Sequence, residues 1–319
     1  MKQVAMIGFG RMGKMHFDIL SSMPEFQVNY VVDNQAGQNI TPIAQLETVL
    51  QDDALDGVII AASSDAHVEL IELCSRYHKK LFCEKPISYR VETLSQLQHT
   101  LRERGADVQV GLNRRYDPHF SELQNRLAEG EIGKIQVVKI TNRDPKRPDL
   151  AFAKRSGGLI YDFVIHDLDM VNFLCNEPVT DMTILADALI EPKLKTFHDV
   201  DTALISFKLA SGALVAIDVS RESGIGYDQR VEVLGEKGML KVDNQYPTTF
   251  SHSNSQGRMG DLPHYSFVER YREAYKRQFQ AYARWLNGEI TCPPVGLEQI
   301  LSAVALADRV SEKMALFNT

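Results

Sequence analysis

The β-rich run Val4–Ile7 passes through Gly8-Phe9-Gly10-Arg11-Met12-Gly13 straight into the amphipathic stretch Met12–Ser22. A chain that turns this abruptly from strand to helix needs glycines at the bend, where backbone and helix approach closely. The helix must then return the chain to a parallel neighbour by a right-handed crossover. The next hundred residues keep that rhythm. Gln27–Val32, Gly57–Ala62, Lys80–Cys83 and Val108–Gly111 read as strands, and His67–Arg76 and Val91–Arg104 as helices between them. Such alternation predicts a doubly wound parallel sheet. One link is short: Asn34–Pro42 leaves no room for a full helix after the second strand, so Ile43–Leu50 is expected to supply that crossover.

After Asn113 the rhythm changes. Ser121–Gly130 reads as a connecting helix ended by glycine, followed by strands Ile135–Asn142, Ala203–Leu209, Ala213–Ser220, Arg230–Leu234 and Met239–Val242. Tight turns such as Ala210-Ser211-Gly212 and Gly235-Glu236-Lys237-Gly238 join several of them, which favours antiparallel pairing. A helix over Asp162–Cys175 precedes that set, and helices Phe267–Leu286 and Leu297–Lys313 close the chain. The expected fold class is α/β: an N-terminal Rossmann domain over residues 1–120 and a C-terminal α+β domain over residues 121–319. The second is expected to carry a large, mostly antiparallel open sheet.

A chain of 319 residues with 44% hydrophobic and 24% charged side chains is an ordinary globular composition, comfortable for two domains. Its net charge of -7 argues against a nucleic-acid partner. No apolar run approaches the roughly 20 residues of a membrane span. The four cysteines, Cys74, Cys83, Cys175 and Cys292, stand singly, which argues against a disulfide framework or a zinc site. With an N-terminus that lacks signal-peptide form, a cytoplasmic location is expected.

The strand–glycine–helix unit points to a dinucleotide. Gly8, Phe9, Gly10, Arg11, Met12 and Gly13 would cradle a pyrophosphate at a helix N-terminus, where free N–H groups and the helix dipole favour negative charge. Asp33, twenty residues past Gly13, closes the second strand. A carboxylate there accepts from an adenosine ribose and repels a 2′-phosphate, so NAD is expected rather than NADP. Ser63 and Ser64 follow the third strand at its carboxyl edge, where such sheets take their ligand. His67 either touches the cofactor or packs the helix that follows. Glu84-Lys85-Pro86 ends the fourth strand, where proline stiffens the loop carrying the lysine.

The segment Gly157 to Met170 places Asp162, His166 and Asp169 at i, i+4 and i+7, on one stripe of an otherwise apolar helix. Such a carboxylate–imidazole pair is either a positioned acid–base or a structural histidine satisfied by its neighbour. Asp169 reads as a helix-face partner. A metal held by His166, Asp167 and Asp169 is disfavoured, because adjacent residues point apart on a helix.

Together, Glu84-Lys85-Pro86 and Gly-Gly…Asp162-x-x-x-His166-Asp167 resemble the glucose–fructose oxidoreductase / inositol dehydrogenase / MocA family. The likeness continues through Gly111–Asp117, Ile140–Pro145, Gly226–Gly235 and Glu269–Tyr275, and is strongest to the inositol dehydrogenase branch. It implies NAD-linked oxidation of a secondary alcohol of a cyclitol or sugar, myo-inositol first, to the ketone. It also implies roles: Lys85 bonds the reacting hydroxyl, His166 is the general base, and Asp162 is its carboxylate partner. Asn113, Arg114 and Tyr227 match positions that face the substrate. Arg114 could equally serve the cofactor edge or an ion pair, and Tyr227 could pack the sheet. Phe163 and Val164 stand where inositol enzymes of the family carry Met-Thr or Ser-Thr. The alternatives are a dehydrogenase of another sugar or of scyllo-inositol, and a non-catalytic NAD-sensing protein of the same fold. The uncovered face of the open sheet leads to an expected homodimer or homotetramer.

Overall fold

The computed structural model describes residues 1–35 and 37–315; residues 316–319 of the expected second domain lie outside the described residues. The described residues form two compact units, Met1–Tyr116 with Ala274–Val304, and Asp117–Glu273 with residues 305–315.

In the first unit, β1 (Lys2–Ile7), α1 (Arg11–Ser21), β2 (Phe26–Asp33), β3 (Thr41–Pro42), α2 (Leu46–Leu50) and β4 (Gly57–Ile60) come first. They are followed by α3 (His67–Ser75), β5 (Lys80–Cys83), α4 (Val91–Glu103) and β6 (Val108–Val110). The six strands run in the order β3-β2-β1-β4-β5-β6, and every pairing is parallel. All four residues of β4 are buried, the signature of a parallel strand covered on both faces. The edge strand β3 was not visible in the sequence: it has two residues, and its Pro42 suits an edge where no N–H is needed. Ile43–Leu50 does turn helical, through a 3-10 turn into α2, and it leads from that edge strand to β4.

The expected bounds, 1–120 and 121–319, differ from the structure, where the opening stretch of the first unit ends at Tyr116. Ala274–Val304 returns to the first unit instead of continuing an unbroken second domain. The reason is an aromatic face on the helix Arg272–Leu286 that buries Tyr275, Phe279, Tyr282 and Trp285. Phe279 packs 5.0 Å from Phe82, Tyr282 stacks on Phe26 at 6.2 Å, and the Tyr282 hydroxyl reaches the Lys80 carbonyl at 2.8 Å. Burying such side chains is worth roughly 1.5–3 kcal/mol each, enough to recruit a helix from far along the chain.

The second unit holds α5 (Pro118–Ala128), β7 (Ile135–Arg143), α6 (Leu150–Arg155), a π-helical turn over Leu159–Val164, and α7 (Ile165–Cys175). Next come β8 (Val179–Asp187), β9 (Thr202–Leu209), β10 (Leu214–Ser220), β11 (Asp228–Gly235) and β12 (Met239–Val242). The sheet order is β12-β11-β7-β10-β9-β8, antiparallel except for the central β7–β10 pair. Asp117 caps α5 by accepting from the His119 and Phe120 amides, and its other oxygen takes Arg270 Nη1 at 2.6 Å in a fully buried ion pair. An exposed hairpin, β13 (Ser251–Asn254) with β14 (Gly257–Gly260), leaves the sheet.

Candidate active site

The glycine loop has the geometry its spacing predicts. Gly8 sits at φ +94°, and a Cβ on it would lie 2.5 Å from the Ala62 amide nitrogen. A Cβ on Gly13 would lie 2.1 Å from the Gly8 carbonyl oxygen, so α1 can rest against the turn only without a side chain there. Around Gly10 there is open space, and as the N-cap of α1 it offers no side chain to the free N–H groups. The first turn of α1 carries no acidic residue. Phe9 is half-buried and Arg11 exposed, with Met12 half-buried behind them. An unobstructed bend at a helix N-terminus fits a dinucleotide pyrophosphate.

Asp33 is bonded into this loop. Its Oδ2 accepts from the Phe9 amide at 2.6 Å and its Oδ1 from the Gln35 amide at 2.8 Å. A carboxylate has about four lone-pair sites, so both oxygens keep capacity for ribose hydroxyls. At the end of β4, Ser63 is exposed and Ser64 half-buried. The Ser63 hydroxyl helps hold the Asp65 carboxyl below its usual range. His67 is 1% exposed, with Nδ1 2.8 Å from the Pro86 carbonyl and Nε2 3.1 Å from that of Ala62. Burial pushes its pKa down, against the two carbonyls, which favour the protonated ring. His67 therefore ties the tip of β4 to the loop after β5, and it presents almost no surface to a ligand.

That loop begins with Glu84, which is buried, and Lys85, which is half-buried and joined to Pro86 by a cis peptide bond. Glu84 Oε2 accepts from the Lys85 amide at 3.1 Å, and Glu84 Oε1 meets His16 Nε2 at 2.6 Å. Nothing in the local pattern singles out His16; it stands on the buried face of α1, and only the tertiary contact reveals it. Asn113 and Arg114 follow β6 on a 3-10 turn, at 4% and 3% exposure.

In the second unit, the entry to the segment carrying Asp162 and His166 is tightly constrained. Gly157 and Gly158 have φ +82° and +73°, and a Cβ on Gly158 would lie 2.6 Å from Asp199 Oδ1. That same oxygen accepts the Leu159 amide at 2.8 Å, and burial pushes the Asp199 carboxyl up. The helix expected from Asp162 onward is π-wound through Val164 and α-wound only from Ile165. A π turn bonds i to i+5 and shifts the register, so the simple i, i+4, i+7 stripe does not persist. Asp162 and His166 remain half-buried, whereas Asp169 is 1% exposed.

Arg221, at the end of β10, was not foreseen. Its Nη1 donates to Asp162 Oδ2 at 3.0 Å, its Nη2 to the Gly158 carbonyl at 3.3 Å, and its guanidinium lies 4.9 Å from the Phe163 ring centroid. Next to His166, Asp167 is fully buried and accepts Asn142 Nδ2 at 2.6 Å. Gln229 Nε2 donates to Asn142 Oδ1, and the Tyr271 hydroxyl donates to Gln229 Oε1 at 3.1 Å. This buried chain anchors α7 to β7 and β11. Tyr227 is 5% exposed, edge-on to Tyr271 at 6.0 Å.

Comparison with known proteins agrees with this picture. Residues 2–112 match the model described as oxidoreductase family, NAD-binding Rossmann fold, and residues 120–241 match the GFO/IDH/MocA C-terminal domain. An uncharacterised oxidoreductase of Bacillus subtilis is 36% identical, covering 90% of this chain and 87% of its own. An inositol 2-dehydrogenase of Rhizobium meliloti is 33% identical, with 97% and 96% covered. The crystal structure of a myo-inositol dehydrogenase from Corynebacterium glutamicum superposes with a TM-score of 0.89 at 30% identity, with 98% and 96% covered.

Proposed function

Because the chain belongs to the GFO/IDH/MocA family of NAD-binding oxidoreductases, we propose that it oxidises a secondary hydroxyl of a cyclitol, myo-inositol first, to the ketone. The observation that carries the substrate class is the likeness to an inositol 2-dehydrogenase over 97% of this chain and 96% of the relative. In this reading the first unit holds NAD and the second contributes the base.

Gly8, Phe9, Gly10, Arg11, Met12 and Gly13 hold the pyrophosphate, Asp33 the adenosine ribose, and Ser63, Ser64 and the Glu84–Lys85 backbone the far end of the cofactor. His67 serves the cofactor by bracing the two loops that carry those residues. When bound, NAD takes up the hydride equivalent released by the carbinol carbon. The Lys85 ammonium stabilises the alkoxide charge that develops on the substrate oxygen. His166 accepts the hydroxyl proton, a task that suits a neutral imidazole near pH 7. Asp162 stabilises the imidazolium, and its Arg221 partner fixes where that carboxylate sits. Asn113, Arg114 and Tyr227 pair the remaining hydroxyls, each of which would be costly to bury unbonded.

A second reading within the class, scyllo-inositol or a sugar as substrate, is favoured by Phe163: its ring faces the Arg221 guanidinium and offers no hydroxyl to a ligand. Relative kcat/KM across a panel of cyclitols and pyranoses with NAD and NADP decides between them. Reduction of NAD with none of them sinks both and leaves a cofactor-sensing role. Lys85→Ala and His166→Ala are each expected to abolish turnover while NAD still binds, and unchanged activity in either removes that residue from the mechanism. The reading includes a cytoplasmic enzyme that takes a neutral polyol rather than nucleic acid. It also includes a homodimer or homotetramer formed through the outer sheet face, where Leu185, Leu204 and Leu214 are 68%, 54% and 52% exposed.

A further inference from the structure

Beneath the proposed NAD site lies a polar pair that the reaction itself does not employ. His16, on α1, is 0% exposed, and Glu84, at the end of β5, is 5% exposed. Their contact, His16 Nε2 to Glu84 Oε1, is 2.6 Å. The rest of the imidazole is boxed edge-on by Phe82, Tyr275 and Phe279, with ring centroids 5.9, 5.7 and 5.0 Å away. His16 Nδ1 has no hydrogen-bond partner among the described residues. A buried polar pair of this kind carries a desolvation cost that apolar side chains of the same volume would avoid. Packing alone therefore gives no reason for a histidine and a carboxylate here.

What the pair does hold is backbone. Glu84 Oε2 accepts the Lys85 amide at 3.1 Å. Gly111 bounds the carboxylate on another side: a Cβ there would lie 2.9 Å from Oε2, and the Gly111 amide is tied to the Cys83 carbonyl at 2.8 Å. The carboxylate is thus fixed at one oxygen by α1 and holds the lysine's own amide with the other. The helix that opens at the dinucleotide loop and the loop that carries Lys85 are joined through one residue pair.

We propose that His16 and Glu84 form a positioning pair that sets the place of Lys85 relative to the bound dinucleotide. The proposal rests on the reading of Lys85 as the group that stabilises the alkoxide. Without the imidazole, Glu84 Oε1 faces aromatic rings, the carboxylate rotates, and the Lys85 amide loses its acceptor. A misplacement of about 1 Å at a reacting group costs about 100-fold in rate.

The test uses the full-length protein and two substitutions. His16→Phe fills the aromatic box without a donor, and His16→Gln restores an N–H near Glu84 Oε1. The first readout needs no turnover: hydrogen exchange of the peptide spanning residues 83–87 in the cofactor-free protein. The others are the NAD dissociation constant by fluorescence and kcat with the cyclitol that is turned over. His16→Phe should speed exchange in that peptide at least about fivefold, consistent with a lost amide acceptor. It should also lower kcat about 10- to 100-fold, leave the NAD dissociation constant within about threefold, and be largely rescued by His16→Gln. Should His16→Phe not fold, Glu84→Met carries the same expectation for exchange and kcat, because it removes both acceptor oxygens at similar length.

Unchanged exchange with kcat within about twofold overturns the proposal. So does faster exchange throughout the first unit with no rescue by His16→Gln, since that pattern is general packing. Lys85→Ala separates the two levels. If it retains turnover, the role given to Lys85 fails, while exchange at residues 83–87 still decides whether the pair holds that backbone. If it leaves a measurable trace of turnover, adding His16→Phe should lower that trace less than about twofold, and a full further loss would show that His16 acts elsewhere; with no trace left, exchange at residues 83–87 decides.

Discussion

Asp33→Ala probes the cofactor reading most directly, because this carboxylate bonds the glycine loop and, in the proposed function, the adenosine ribose. Its oxygens accept the Phe9 amide at 2.6 Å and the Gln35 amide at 2.8 Å. Hydrogen bonds to a charged group contribute about 1.5–3 kcal/mol each. Both amides lie near solvent and can rehydrate, so about 2–3 kcal/mol of stability should be lost in total. For NAD, loss of the ribose contact at the same scale weakens binding about 10- to 150-fold, since about 1.4 kcal/mol is a factor of ten. NADP should lose far less, because the charge that repels its 2′-phosphate is gone as well. The ratio of the two dissociation constants, read by fluorescence titration below the melting temperature, should therefore fall at least about tenfold. Asp33→Asn keeps one acceptor oxygen and should be intermediate. A ratio unchanged within about threefold, with the protein folded, would refute the assignment of Asp33 to the ribose.

Three further outcomes follow from geometry already described. Gly13→Ala sets a Cβ 2.1 Å from the Gly8 carbonyl oxygen, so α1 must move: calorimetry should show a loss of about 1–3 kcal/mol or more, and NAD binding should fail. The buried Arg270–Asp117 pair should lose about 3–5 kcal/mol when Arg270→Met leaves Asp117 unpaired, and the double change with Asp117→Ala should cost clearly less than the sum of its parts by denaturant unfolding. Asp228 is fully buried, and although burial opposes it, Arg230, Asn244 and Arg143 together hold its carboxyl below the usual range. A depressed folded pKa stabilises above the unfolded value and is lost as pH falls through the folded one, so stability should drop as acid is added below about pH 4. Asp228→Asn should flatten that limb, and an unchanged pH profile counts against the ion-pair cluster.

The residues that the sequence exposed share a property: their chemistry is local. The glycines after β1, the carboxylate closing β2 and the proline-stiffened lysine each act within a few residues of a strand end, so spacing revealed them. Five of the six strands in the first sheet were legible from local pattern too, β1, β4 and β5 as short buried apolar runs. The missing strands are edges. β3 has two residues, and in β8 a register irregularity between Val179 and Asp181 and the 68% exposed Leu185 blur the alternation.

What the sequence could not carry is partnership across the chain. Arg221 pairs with Asp162 from 59 positions away, and His16 with Glu84 from 68. The aromatic face of Arg272–Leu286 belongs to the sheet at the start of the chain, although it follows the second domain in order. Local periodicity also assumes a uniform winding, and the π turn at Leu159–Val164 breaks that assumption where Asp162 sits. The Rossmann unit and the glycine loop after β1 were legible in the sequence alone, because turn sterics and strand-end chemistry act over a few bonds. Which carboxylate each cation meets, and which helix covers which sheet, was decided only by tertiary packing. Those contacts are set by burying surface and pairing charge between segments that no local spacing links.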